Sequence, residues 1–262
     1  MGKITLKVNG KAKSSYDTKT KTLTRYSKPN RQKKSKKLNM KVQDISKIYP
    51  LRKFVNMDYS SSLSLTNPGT AGQFGTRKLF HLNDINSPKF AQATGDPLPI
   101  GYDSLLPRYV NFKVHSADIE IELAPNTSTT NQYLCIYLLN SVRNYDITGK
   151  TLDDLNGKDM LWTYPLPFDK KFVFRKRIRI HNIEGVNKVM IDADNAESRE
   201  YTGIYSPVVA NLGANRPKAL SSIAMSIMNP QSGVVGGISG EIKIRYHVEL
   251  FNRGNLPTNV TP

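Results

Sequence analysis

The sequence FVFRKRIRIH, residues 172–181, decides how the chain folds, because its side chains alternate in character with a period of two. Apolar side chains occupy one set of alternate positions, interrupted once by Lys176, and basic side chains occupy most of the other set. The apolar set is Phe172, Phe174, Ile178 and Ile180, and the other is Val173, Arg175, Arg177, Arg179 and His181. Successive side chains of a strand point to opposite faces. The stretch is therefore predicted to be a strand whose basic face is either solvated or turned toward nucleic acid.

The same period predicts further strands on both sides of this stretch. They are predicted within residues 54–65, 74–85, 109–123, 133–139, 186–191, 223–227 and 241–250. In the longest, Val110, Phe112 and Val114 share one parity, whereas Ile119 and Ile121 take the other. This change predicts a bulge or bend near residues 115–118. One helical turn is predicted at 101–106, and long loops at 140–169 and 192–219.

Eight or nine strands without a long helix predict an all-β fold. The preferred architecture is a single jelly-roll of two four-stranded antiparallel sheets, which shell proteins, lectins and cupins share. The domains are predicted as a basic, mostly disordered arm at residues 1–41 and a jelly-roll shell domain at residues 42–262. The arm has too few apolar residues to offset its ordering entropy.

Charge is distributed unevenly along the chain. Residues 1–41 contain fourteen of the 38 Lys and Arg residues but one of the 21 acidic residues, Asp17, which gives them a net charge of +13. A cationic segment of this kind binds phosphate without reading sequence. The predicted nucleic-acid-binding residues are Lys11, Lys13, Lys19, Lys21, Arg25, Lys28, Arg31, Lys33, Lys34, Lys36, Lys37, Lys41, Arg175, Arg177 and Arg179. Lys33, Lys34, Lys36 and Lys37 are also predicted to form a nuclear localisation signal.

The sequence contains no pattern that predicts catalysis. The hydrolase, metalloprotease, phosphate-loop and dinucleotide motifs are all missing, so no catalytic residue, cofactor or metal site is predicted. The acidic run 192–197 lacks the glycine of a calcium loop and is interpreted as a solvated loop. Cys135, the single cysteine, is predicted to be a small buried hydrophobe. Trp162 could stack on a base, but core packing or a subunit contact is the preferred interpretation.

Two stretches of the body resemble the capsid proteins of circular single-stranded DNA viruses, the circovirus-like group. Residues 101–109, GYDSLLPRY, are similar to the turn that feeds the longest strand of those proteins, and residues 246–252, YHVELFN, to their last strand. The basic arm is shared as architecture, although it is rich in lysine here and in arginine there. The resemblance implies a homo-oligomeric icosahedral shell of T=1 type, with the arms on the genome and the long loops outside.

The resemblance also implies the partners and the location of the protein. The partners are other copies of the chain, the single-stranded viral genome, the host nuclear import machinery and a cell-surface receptor. No membrane is expected as a partner. The protein is expected in the virion, and in the host nucleus during assembly. Two alternatives stay open: a basic-tailed cellular single-stranded nucleic-acid-binding protein, and the capsid protein of a small RNA or satellite virus.

Overall fold

The computed structural model describes residues 4–8, 11–17, 22–25, 51–66, 70–90, 96–125, 131–192, 197–205, 215–231 and 237–253. The chain divides into two compact units, Met1–Ile48 and Tyr49–Pro262. The predicted boundary between residues 41 and 42 lies outside the described residues and stays a prediction.

The first unit contains a three-stranded antiparallel meander in the order β1-β2-β3. Its strands are β1 Ile4–Val8, β2 Lys11–Asp17 and β3 Thr22–Arg25. The sequence predicts no regular structure here, so the strands differ from that prediction. Ile4, Thr5 and Val8 of β1 and Thr22 and Thr24 of β3 are β-branched, which is compatible with strands.

The second unit is a sandwich of two antiparallel sheets. Its strands are β4 Arg52–Thr66, β5 Lys78–His81, β6 Tyr109–Pro125, β7 Gln132–Leu139, β8 Leu161–Leu166, β9 Phe172–Arg179, β10 Thr202–Ile204, β11 Ser222–Met228 and β12 Gly237–Arg253. The first sheet has the order β4-β12-β6-β9, with β10 beside the other end of β6, and the second has the order β5-β11-β7-β8. This is the strand order of a jelly-roll, and it confirms the predicted fold class with the short β10 as an added strand.

Three short α-helices are described between the strands. They are α1 Tyr102–Leu105, α2 Ile180–Glu184 and α3 Lys188–Asp192. Helix α1 is the predicted helical turn. Helix α3 stands where the sequence predicts a strand at 186–191, so that prediction is wrong. The side-chain oxygen of Asn187 accepts a bond from the backbone N–H of Val189 at 3.2 Å, which favours a helical start over an extended chain.

The longest strands show why the predicted alternation holds. On β12, Ile242, Ile244 and Tyr246 are buried between the sheets. Strand β6 contains the predicted bulge: Val248 of β12 pairs with Val114 and His247 pairs with Ser116, so His115 is the extra residue. The extra residue reverses the phase of β6 and keeps its apolar side chains on one face despite the change of parity.

Strands β7 and β11 are apolar on both faces because each face is covered. Toward the first sheet, Ile136 and Ile223 join the main core. On the opposite face, Cys135 and Tyr137 pack against Ile147 and neighbouring residues of the loop that follows β7. The predicted burial of Cys135 is confirmed, since none of its surface is accessible.

Two other predicted segments differ from the structure. The predicted loop 140–169 contains β8, and the predicted strand 74–85 is shortened to β5. After β5 the chain turns, because polar side chains bond to the backbone: Asn83 Nδ2 donates to the carbonyl of Ala219 at 2.7 Å, and Asn86 Nδ2 donates to that of Ile204 at 2.8 Å. A local bond, from the backbone N–H of Asn86 to Asp84 Oδ1 at 3.1 Å, also competes with strand pairing.

Candidate nucleic-acid interface

The candidate interface is the solvent-facing side of the first sheet, where β9 presents its arginines. Arg175, Arg177 and Arg179 are exposed, whereas Phe174 and Ile178, at alternate positions of the same strand, are buried. The predicted division into an apolar and a basic face is therefore confirmed for this strand. The strand ends at Arg179, and Ile180 and His181 belong to α2.

The acidic side chains of β6 lie between two strands with basic side chains, β9 on one side and β12 on the other. Across β6 and β9, Glu120 is opposite Arg175 and Asp118 is opposite Arg177. Arg175 Nη2 donates to Glu120 Oε1 at 2.8 Å, and Arg177 Nη2 donates to Asp118 Oδ2 at 2.7 Å. The hydrogen bond from Arg177 lowers the pKa of Asp118 to about 2, and the bond from Arg175 lowers the pKa of Glu120.

Other cations of this face also have carboxylate partners. Further pairs are Lys171–Glu122, Lys243–Glu241, Arg245–Asp58 and Arg52–Glu249. The residue opposite Arg179 on β6 is Ser116, and among the described residues no carboxylate lies within ion-pair distance of Arg179. Strand β9 itself is basic, but the face of the sheet as a whole is close to electrical balance. Exposed pairs of this kind contribute little to stability.

The acidic partners could have been found in the sequence. Asp118, Glu120 and Glu122 alternate with Ile119 and Ile121, so the period of two already places them on the outer face of their strand. The sequence does not show which strand lies beside them. That neighbour follows from the strand order of the jelly-roll, in which β6 separates β12 from β9.

The predicted binding residues of the N-terminal segment are described only in part. Lys11 and Lys13 belong to β2, and Arg25 belongs to β3. The others lie outside the described residues: Lys19, Lys21, Lys28, Arg31, Lys33, Lys34, Lys36, Lys37 and Lys41. The proposed localisation signal is within this second group. The binding roles of all these residues stay predictions.

Three of the four histidines lie near the end of β9, beside the bulge of β6. His115 Nδ1 is 3.0 Å from Asp192 Oδ1, and His115 Nε2 is 3.0 Å from Glu249 Oε2. His115 and His181 line one small pocket, and His115 and His247 line a neighbouring one. Asp192 ends α3 and is thus part of this cluster, whereas most of the predicted acidic loop lies outside the described residues. In the described part of the chain, no group of three or more side chains is arranged to hold a metal.

Trp162 lies on β8 and packs against the main core. Its ring centroid is 6.2 Å from that of Phe174, and Lys176 Nζ lies 3.7 Å from the indole centroid. The lysine follows the inward parity of β9 but remains exposed by reaching over the indole. These contacts agree with the preferred interpretation of Trp162 as a packing residue, because the lysine covers the ring where a base would stack.

No family model matches the chain, and no curated protein matches it. Among solved structures, the 60-mer BFDV capsid protein is 11% identical, covers 80% of this chain and 100% of its own, and has a TM-score of 0.44. Mud crab tombus-like virus is 9% identical over 81% and 87%, with a TM-score of 0.42, and tobacco necrosis virus is 12% identical over 79% and 89%, with 0.41. Such values carry no argument about function, which has to be argued from this chain's own residues. Those residues define a jelly-roll protein with a strongly cationic N-terminal segment. None of the described helices is long and apolar enough to cross a membrane.

Proposed function

We propose that the chain is a viral capsid protein whose copies assemble into a small icosahedral shell around a single-stranded DNA genome. The observation that carries this proposal is the separation of charge. Residues 1–41 have a net charge of +13, whereas the ordered face of the sheet neutralises most of its own arginines. A nearly balanced body can pack against other copies without strong repulsion, and the N-terminal segment provides the cations that bind phosphate.

The proposed mechanism couples genome binding to closure of the shell. Many copies of a segment with charge +13 repel one another when they are brought into one enclosed volume. Packaged nucleic acid neutralises that charge and releases its counterions. Assembly is then favourable only when nucleic acid is present, and no catalytic group is required. The same segment carries the proposed localisation signal, by which host import machinery would bring the protein to the nucleus before assembly.

The experiment compares three proteins by negative-stain microscopy, light scattering and the ratio of absorbance at 260 and 280 nm. They are the full chain, a variant lacking residues 1–41, and a variant of full length in which every Lys and Arg of residues 1–41 is changed to Gln. The Gln variant is the matched control, because it keeps the length of the segment and removes its charge. Uniform spherical particles that contain nucleic acid are expected for the full chain only. Both variants should bind nucleic acid weakly and should not require it for assembly.

Three results would contradict parts of the proposal. Assembly of the truncated variant only with nucleic acid would show that another region creates the requirement. A monomer or dimer of the full chain, with or without single-stranded DNA or RNA, would favour the basic-tailed binding protein. Particles whose content is degraded by ribonuclease and resists deoxyribonuclease would assign the shell to an RNA or satellite virus.

A further inference from the structure

We infer that the end of β9 forms a fixed binding site for one phosphodiester group of single-stranded nucleic acid, built from Arg179, His181 and Lys188. The inference rests on the proposed function, since it adds an ordered contact to the genome bound by the N-terminal segment. The site contains Arg179 and not Arg175 or Arg177, although the three arginines occupy equivalent alternate positions in the sequence.

The register of the sheet distinguishes the three arginines. Each of Arg175 and Arg177 is opposite an acidic residue of β6 and bonds to it. Arg179 is opposite Ser116, a neutral residue at the bulge, and is exposed. Since no carboxylate in the described part of the chain lies within ion-pair distance of Arg179, its five N–H donors are available for an anion. A guanidinium binds phosphate well because its planar fork can donate two parallel bonds.

The helices that follow β9 bring more basic side chains to the same place. A pocket of about 260 Å³ is lined by Arg179, His181, Lys188, His115 and Asp192, together with Ser116 and Ile191. The exposed Lys188 reaches it from α3, and the half-buried His181 reaches it from α2. The pocket can therefore admit a single phosphodiester beside basic side chains that come from two helices and two strands.

The carboxylate of Asp192 does not make this pocket acidic. Its Oδ1 atom lies 3.0 Å from His115 Nδ1, and its Oδ2 atom lies 3.8 Å from Lys188 Nζ. Both oxygens thus face cationic or donor groups, and the lining stays net positive even when both histidines are neutral. Burial lowers the pKa of His181, and the positive charges of Arg179 and Lys188 lower it further, whereas the negative charge of Asp192 raises it.

The test uses the full chain and the dinucleotide d(TpT), which has one phosphodiester group. The protein has four histidines, so the ring carbon–proton signals of His181 and His115 can be followed individually by NMR. Addition of d(TpT) should shift these two signals and leave that of the buried His81 unchanged. The Arg179→Gln variant should bind d(TpT) at this site at least about tenfold more weakly, as expected for the loss of one charged hydrogen bond.

The matched control is Arg175→Gln, which removes an arginine from the same face of the same strand but one already paired with Glu120. For a longer single-stranded oligonucleotide, the slope of log K against log salt should lose about 0.7 in Arg179→Gln and change less in Arg175→Gln. Equal changes in the two variants, or an His181 signal that d(TpT) does not move, would overturn the site. If only this site is wrong, the oligonucleotide will still bind through residues 1–41. If the proposed function is wrong, the oligonucleotide will not bind.

Discussion

A buried base, His81, and a buried acid, Asp84, should control how the stability of the body depends on pH. His81 is the last residue of β5, Asp84 follows it, and both side chains are almost fully buried. His81 Nδ1 lies 2.9 Å from Ser222 Oγ, and Asp84 Oδ1 accepts a bond from the backbone N–H of Asn86 at 3.1 Å. Burial lowers the pKa of His81 from 6.5 to about 4, and burial raises the pKa of Asp84 from 3.8 to about 7.

As the pH rises, the two pKa shifts change the free energy of unfolding in opposite directions. The stability that Asp84 contributes is present below pH 3.8 and is lost as the pH rises through about 7. The stability that His81 contributes is present above pH 6.5 and is lost as the pH falls through about 4. A pKa difference of one between the folded and unfolded chains corresponds to about 1.4 kcal/mol. The full effects are therefore on the order of 4 kcal/mol for Asp84 and 3 kcal/mol for His81.

Because the two effects overlap between pH 4 and 6.5, this pair should leave the wild-type stability nearly independent of pH in that window. Asp84→Asn keeps an oxygen that can accept from Asn86 and removes the acidic titration. Its stability should rise by about 3 kcal/mol from pH 4 to 6.5, owing to His81. His81→Asn keeps a polar atom near Ser222 and removes the basic titration. Its stability should fall by about 4 kcal/mol from pH 4 to 7, owing to Asp84.

The assay is urea unfolding of the unassembled subunit at half-unit steps of pH, followed by the fluorescence of Trp162, the only tryptophan. The shape of each profile is compared, so a uniform loss of stability caused by the replacement itself does not affect the result. An Asp84→Asn profile parallel to that of the wild type would refute the reasoning, because it would mean that Asp84 titrates alike in the folded and unfolded chains.

Two further predictions concern the strands of the sandwich. Gly240→Ala should lower stability by about 3 kcal/mol in thermal melts, since its Cβ would lie 1.8 Å from the carbonyl oxygen of Glu122 on β6. The control is Ser64→Ala, at an exposed position of the adjacent strand β4. Equal melting temperatures for the two variants would contradict the close approach. Burial raises the pKa of the Cys135 thiol to about 12, so a disulfide reagent at pH 8 should label the protein in urea and leave the native protein unmodified; rapid stoichiometric labelling of the native protein would show that β7 is accessible.

The sequence predicts the strands that bury one face and expose the other. Strand β12 and the bulge of β6 follow from the alternation of apolar side chains, because a slip by one residue would expose the whole apolar set. Strand β8 is missed because Pro165 argues against a strand. The structure shows why proline is tolerated there: β8 is at the edge of its sheet, where one side of the backbone has no strand to pair with. Edge position depends on the strand order, which local sequence does not contain.

The candidate interface is predicted only in its composition. The arginines of β9 and the acids of β6 are separately visible in the sequence, but their pairing requires the two strands to be neighbours in a particular register. The pocket beside Arg179 is even harder to predict from the sequence. It requires the acidic positions of β6 to end at Ser116 and α3 to place Lys188 nearby, and residues 186–191 read as a strand in the sequence.

On the first sheet, the basic side chains of β9 lie beside the acidic side chains of β6. Alternate residues of a strand are about 7 Å apart, so Arg175, Arg177 and Arg179 would repel one another if no acids lay beside them. The carboxylates of β6 remove most of that repulsion at the cost of most of the phosphate affinity of the strand. The single position where the compensation stops, Arg179, can then bind phosphate locally. Under the proposed function, residues 1–41 provide the bulk of the electrostatic affinity through their net charge of +13.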